Sequence, residues 1–208
     1  MENIVLVGGG GHCLSCIDAI ESTNMYSIIG IIDKEENVGK KILNYEIIGT
    51  DSMIESLVEK ECSFLITIGQ IKSSSLRRKV YEIIKNAGGK LATIIASTAY
   101  VSKYAVIGKG SIILHKAFVN AGVIIGENCI INTGSIVEHN TKVADFTHIS
   151  TNSTINGDCK IGSDIFIGSN VTVNQGISIY RNSIIASGSL ITKNVEKSSF
   201  LKGIPAHE

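Results

Sequence analysis

From Ile95 onward the chain carries an apolar residue at every sixth position without a slip. Ile95, Val101 and Ile107 begin the series, Ile185 and Ile191 end it, and all seventeen positions are Ile or Val. Four residues after each of these, on the strand face shared with the next one, stands a mostly small or β-branched side chain such as Ala99, Ala105, Ser111, Cys129, Thr147 or Ser153. Three residues after each, thirteen of the seventeen positions are Gly, Asn or Asp, among them Gly110, Gly122, Asn128, Gly134, Asn140 and Asn170. Those residue types tolerate a positive φ, so each hexad reads as a short strand closed by a corner. Stacked hexads of this kind make a prism with a ladder of Ile and Val inside.

The first 94 residues follow a different rhythm. Asn3 to Val7, Ser27 to Asp33, Phe64 to Gly69 and Lys90 to Ile94 read as strands. Leu14 to Ser22, Asp51 to Lys60 and Ser75 to Asn86 read as helices, the second opened by an Asp51 cap. The alternation predicts a small, Rossmann-like parallel sheet in an α/β domain over residues 1–94, followed by the repeat over 95–208. Glycines 8 to 11 lie at the carboxyl end of the first strand, where ligands bind in such sheets. The spacing is a poor dinucleotide fingerprint, because position 13 is Cys rather than Gly, and an NAD site is disfavoured. Backbone N–H groups of Gly10, Gly11 and His12 at a helix start remain suited to a diphosphate. Asp33, followed by Lys34, is placed to accept from a ribose hydroxyl or a base N–H, or simply to cap a turn.

Composition narrows the function classes. The 208 residues hold 19 basic and 19 acidic side chains, which gives no electrostatic footprint for nucleic acid. Apolar runs such as Ile4 to Val7 fall far short of the roughly 20 residues that span a bilayer. The start Met1-Glu2-Asn3 lacks a basic secretory leader, so a cytoplasmic location is expected. Aromatics supply only 5%, consistent with strands in regular layers. The five scattered cysteines read as reduced small hydrophobes, and the pair Cys13 and Cys16 has no second ligand pair, so no metal is expected.

The hexads resemble the left-handed parallel β-helix of the hexapeptide-repeat acyltransferases, in which three hexads form one triangular coil. Together with Gly8 to His12, Ile32-Asp33, Ile68-Gly69, Val137-Glu138-His139, the run Asp145-Phe146-Thr147-His148 and the tail Gly203-Ile204-Pro205-Ala206, the whole chain resembles a bacterial family. These are the nucleotide-activated amino-sugar N-acetyltransferases and the related sialic acid O-acetyltransferases of the NeuD/PglD type. The resemblance implies acetyl-CoA as donor, the amine of a UDP- or GDP-linked amino sugar as acceptor, and homotrimers with active sites between subunits. It implies His139 as general base, with Glu138 and Asn140 beside it, and Gly10, Gly11, His12, Asp33, Lys34 and Gly69 at the nucleotide sugar. For acetyl-CoA it points to His148, and the coil arithmetic adds Gly157, stacked eighteen residues above His139, whose N–H is a candidate for the acetyl carbonyl. Gly168, Ser169, Ala186 and Ser187 are small enough to let the pantetheine arm lie along the prism.

The chain departs from the family at Asn140, where Asp or Glu usually follows the histidine. An amide can fix the imidazole tautomer but stabilises an imidazolium less than a carboxylate does. Glu138 and Asp145 are candidate substitutes, and Asn140→Asp is expected to shift the pH dependence toward alkaline values. Two rival functions stay open: an O-acetyltransferase acting on a sugar hydroxyl, and a nucleotide-sugar-binding scaffold whose histidine site has decayed.

Overall fold

Because its central strands are continuous apolar runs, the N-terminal sheet can be covered on both faces. The computed structural model describes Met1–Glu208 and divides into two units, Met1–Gly69 with Ser75–Ile94, and Gln70–Ser74 with Ile95–Glu208. In the first unit the order is β1 (Glu2–Val7), α1 (Gly11–Glu21), β2 (Tyr26–Ile32), β3 (Lys41–Ile42), β4 (Tyr45–Gly49), α2 (Ile54–Glu59), β5 (Ser63–Ile66), α3 (Ser75–Asn86) and β6 (Lys90–Leu91). The strands lie in the order β3-β4-β2-β1-β5-β6 and all pair in parallel except β3 with β4. Val7 of β1 pairs with Ile32 and with Ile66, so three strand ends and the glycines after β1 converge at one edge.

Each covering helix shows why it packs there. Helix α1 buries Cys13, Cys16, Ile17 and Ile20, spaced three, four and seven residues from the first. Ile54 and Leu57 of α2 and Val80 and Ile84 of α3 join Val5, Val7, Phe64 and Ile66 in one core. Arg77 of α3 is buried and donates from Nη1 to the carbonyls of Ile66 and Ile68, at 2.8 and 2.6 Å, which pins the turn after β5.

Two sequence expectations change here. The helix expected over Asp51 to Lys60 opens with a short 3-10 turn, Asp51–Met53, and its cap is Thr50, whose Oγ1 accepts from the Ser52 N–H at 3.4 Å. The β3–β4 hairpin was not expected, because its turn holds Leu43 at φ +50 instead of a glycine.

The second unit is a left-handed β-helix built on three ladders of parallel two-residue strands. Ile112 pairs with Ile130, Phe118 with Ile136 and Ile124 with Lys142, so the coil is eighteen residues throughout these pairs. Val119, Ile131, Val137, Ile149, Ile155, Ile167, Val173 and Ile185 are fully buried inside. The small-residue column completes the interior and satisfies the corners. Ser111 Oγ donates to the Gly126 carbonyl at 2.7 Å, Thr147 Oγ1 to Gly162 at 2.8 Å and Ser153 Oγ to Gly168 at 2.6 Å.

Every sixth residue from Gly110 to Gly188 has a positive φ, including Lys116 at +60 and Phe146 at +55, which local preference alone would not put there. The neighbouring coils impose that conformation. After Ile191 the coil shortens: Val195 bridges to Ile179 and Leu201 pairs with Ile185, sixteen residues apart instead of eighteen. The segment Gln70–Ser74 packs in this unit, with the Gln70 amide donating to the Phe146 carbonyl at 2.7 Å and Ser74 Oγ bonded to Asp164 at 2.5 Å.

Candidate functional site

His139 stands at a corner after the strand Ile136–Val137, and the eighteen-residue register stacks Gly157 on it. A Cβ at Gly157 would lie 2.4 Å from Cε1, 2.6 Å from Nε2 and 3.0 Å from Nδ1 of His139, so the imidazole occupies the space a side chain would need. The ring is half exposed, and Gly157 has a backbone that other residues could adopt; its missing side chain serves the ring. The Gly157 N–H makes no hydrogen bond within the chain.

Asn140, at φ +59, donates from Nδ2 to Asp158 Oδ1 at 3.1 Å. The other oxygen of Asp158 lies 3.9 Å from His139 Nδ1. Glu138 accepts from Asn120 Nδ2 at 2.5 Å and from the His139 backbone N–H at 3.4 Å. The structure therefore gathers Glu138, His139, Asn140 and Gly157, and adds Asp158. Sequence reasoning missed Asp158, although adding one coil to Asn140 leads straight to it.

His148 lies on another ladder and is buried. Its Nδ1 is 2.7 Å from the Gln70 carbonyl, which can only accept, so that nitrogen carries the proton. Nε2 is 3.1 Å from the Asn132 amide, and Phe166 meets the ring edge-on. Both nitrogens are engaged within the unit. Gly168, Ser169, Ala186 and Ser187 follow the same ladder: Ser169 Oγ bonds to Ser150 Oγ at 3.0 Å, and a Cβ on Gly168 would lie 2.5 Å from the Ser187 nitrogen. The prism thus carries the His139 group on one edge and these residues on another, and a single chain does not bring them into one site.

In the first unit a cavity of about 510 Å³ opens at the ends of β1, β2 and β5. Gly10, Asp33, Lys34 and Gly69 line it, whereas Gly11 and His12 form the first turn of α1 beside it. Asp33 Oδ2 accepts from Asn37 Nδ2 at 3.1 Å, and a Cβ on Gly9 would come within 2.8 Å of that oxygen. Gly9, within the anticipated glycine turn, also lines the cavity, as do Asn37 and Thr50, which were not anticipated from the sequence. Beneath it, burial pushes the Cys13 thiol up to about 11 and Cys16 higher still, so both remain neutral core groups. No group of three or more His, Cys, Asp or Glu is placed to hold a metal ion, and no helix is long and apolar enough to cross a membrane. A second groove, of about 900 Å³, runs along the prism with Ile124, Val143 and Ile179 in its lining and Lys142, Lys160 and Arg181 among its cations.

Comparison with known proteins agrees with this layout. The PglD N-terminal domain family matches residues 3–84, and the hexapeptide repeat of succinyl-transferase matches residues 104–138 and 159–193. No curated protein sequence matches. Among solved structures, the acetyltransferase domain of PglB from Neisseria gonorrhoeae FA1090 superposes with a TM-score of 0.92 at 26% identity, covering 100% of this chain and 99% of that one. The same domain in complex with acetyl coenzyme A gives 0.92 and 26%, with 99% and 98% covered. A histidine mutant of perosamine N-acetyltransferase from Caulobacter crescentus, in complex with CoA and GDP-perosamine, gives 0.90 and 25%, with 100% and 96% covered.

Proposed function

The chain belongs to the hexapeptide-repeat acyltransferases that carry a PglD-type N-terminal domain, and from that premise we propose that it transfers an acetyl group from acetyl-CoA to the amine of a nucleotide-linked amino sugar. The observation that carries this reading is the packing of the His139 ring against a side-chain-free Gly157, on a scaffold that superposes on an enzyme holding CoA and GDP-perosamine. His139 removes the proton as the sugar nitrogen attacks the thioester carbonyl. The unspent Gly157 N–H is available to the oxyanion. Collapse of the tetrahedral adduct breaks the C–S bond, and the imidazolium returns its proton to the CoA sulfur. A correctly placed base of this kind is worth about 10²–10⁴-fold in rate.

The cavity at Gly10, Asp33, Lys34 and Gly69 suits the nucleotide, with Asp33 and Asn37 as polar contacts for ribose or base. The groove with Lys142, Lys160 and Arg181 combines cations with an apolar floor, as an acyl-CoA requires. With a net charge of zero, two anionic substrates must rely on such local groups. Because the His139 group and the Gly168–Ser187 edge lie apart in one chain, a homotrimer with sites between subunits supplies the completing surface. The test is thiol release from acetyl-CoA against a panel of UDP-, GDP- and CMP-linked sugars. An amino sugar should elicit release that His139→Ala abolishes; no release with any acceptor overturns the reading.

A further inference from the structure

We propose that Asp158 is the carboxylate that orients the His139 imidazole and stabilises its protonated form, a role left vacant by the uncharged Asn140; the inference rests on His139 acting as the base. Register defines the neighbourhood. The positions flanking His139 on adjacent coils are Asn120, Ala121 and Gly122 below and Asn156, Gly157 and Asp158 above, with Asn174, Gln175 and Gly176 one coil further. Among these and the two chain neighbours of His139, the ionisable side chains are Glu138 and Asp158.

Glu138 is committed elsewhere, since one of its oxygens accepts from both Asn120 and the His139 backbone N–H. Asp145 accepts from the Glu127 N–H at 2.8 Å on a different prism edge. Asp158 alone faces the ring nitrogen opposite to the reacting one. Its N–H donates to the His139 carbonyl at 2.9 Å, and its φ of +61 sets the side chain at the corner. Asn140 Nδ2 holds Oδ1, and Gln175 Nε2 approaches Oδ2 at 3.4 Å. Oδ2 then stands 3.9 Å from His139 Nδ1, with both side chains about half exposed, so a small side-chain rotation closes the gap to a hydrogen bond. A carboxylate there fixes Nδ1–H, leaves Nε2 as the acceptor for the substrate proton, and favours the imidazolium that forms. Asn140 in this arrangement positions the acid instead of replacing it.

The test is steady-state kinetics on Asp158→Asn, a substitution that keeps a residue type suited to φ +61, with Asp158→Gly as a second removal of the charge. The expected result is a fall in kcat of about tenfold to a hundredfold, part of what the base itself contributes, with KM for both substrates within about twofold. Adding Asn140→Asp to Asp158→Asn, which returns a carboxylate to the pair, should restore kcat. An unchanged kcat in both Asp158 variants, with His139→Ala inactive, overturns the role of Asp158 alone. Turnover unaffected by His139→Ala overturns the base assignment and this inference with it.

Discussion

Replacing Gly157 by Ala separates positioning from stability. The added Cβ would sit 2.4 Å from His139 Cε1, so restoring ordinary contact at 3.4 Å displaces that side of the ring by about 1 Å. The imidazole is half exposed and yields toward solvent, so the core is not strained. Gly157 is outside the left-handed region, and an Ala there restricts the unfolded chain, which is worth about 0.4–1 kcal/mol in favour of the fold. A catalytic group misplaced by about 1 Å costs about 10²-fold in rate. Gly157→Ala is therefore expected to lose about a hundredfold in kcat in the thiol-release assay while its melting temperature stays level or rises slightly. Wild-type kcat in this variant refutes the reasoning that Gly157 sets the ring. A large drop in melting temperature alongside lost activity refutes it differently, by making Gly157 a packing residue.

Four further outcomes follow from the fold. Lys116→Gly removes a non-glycine residue from φ +60 and should stabilise by about 1 kcal/mol, read as a rise of about 2–4 °C in thermal melting. Ser153→Ala deletes a buried hydroxyl that donates to the Gly168 carbonyl and accepts from the Val171 N–H, and should cost about 1–3 kcal/mol by chemical denaturation. All five cysteines are buried, so the native protein should leave a thiol reagent unreacted at pH 8 and release its thiols on unfolding. The Cys13 thiol, raised by burial, stays protonated in the fold to about 11, so its contribution to stability is complete below the ordinary thiol range near 9 and is lost as pH climbs from there toward 11.

The sequence by itself determined the prism, because each coil repeats the same local demand: a buried Ile or Val, a small partner and a corner, every six residues. That repetition located the corners so firmly that Lys116 and Phe146 adopt the left-handed conformation despite their own preferences. Asp33 and the glycines after β1 were legible for the same kind of reason, as short-range signals at a strand end. The β3–β4 hairpin was hidden because Leu43 carries no turn signature, and the docking of Gln70–Ser74 in the second unit was hidden because it depends on the buried carbonyl of Phe146, far away in sequence. Only the tertiary structure turned His148 inward, with Gln70 and Asn132 holding its two nitrogens, and brought Asp158 to the far nitrogen of His139. Periodicity states which residues stack; where a half-exposed carboxylate points is decided by the hydrogen bonds that its neighbours on adjacent coils can offer.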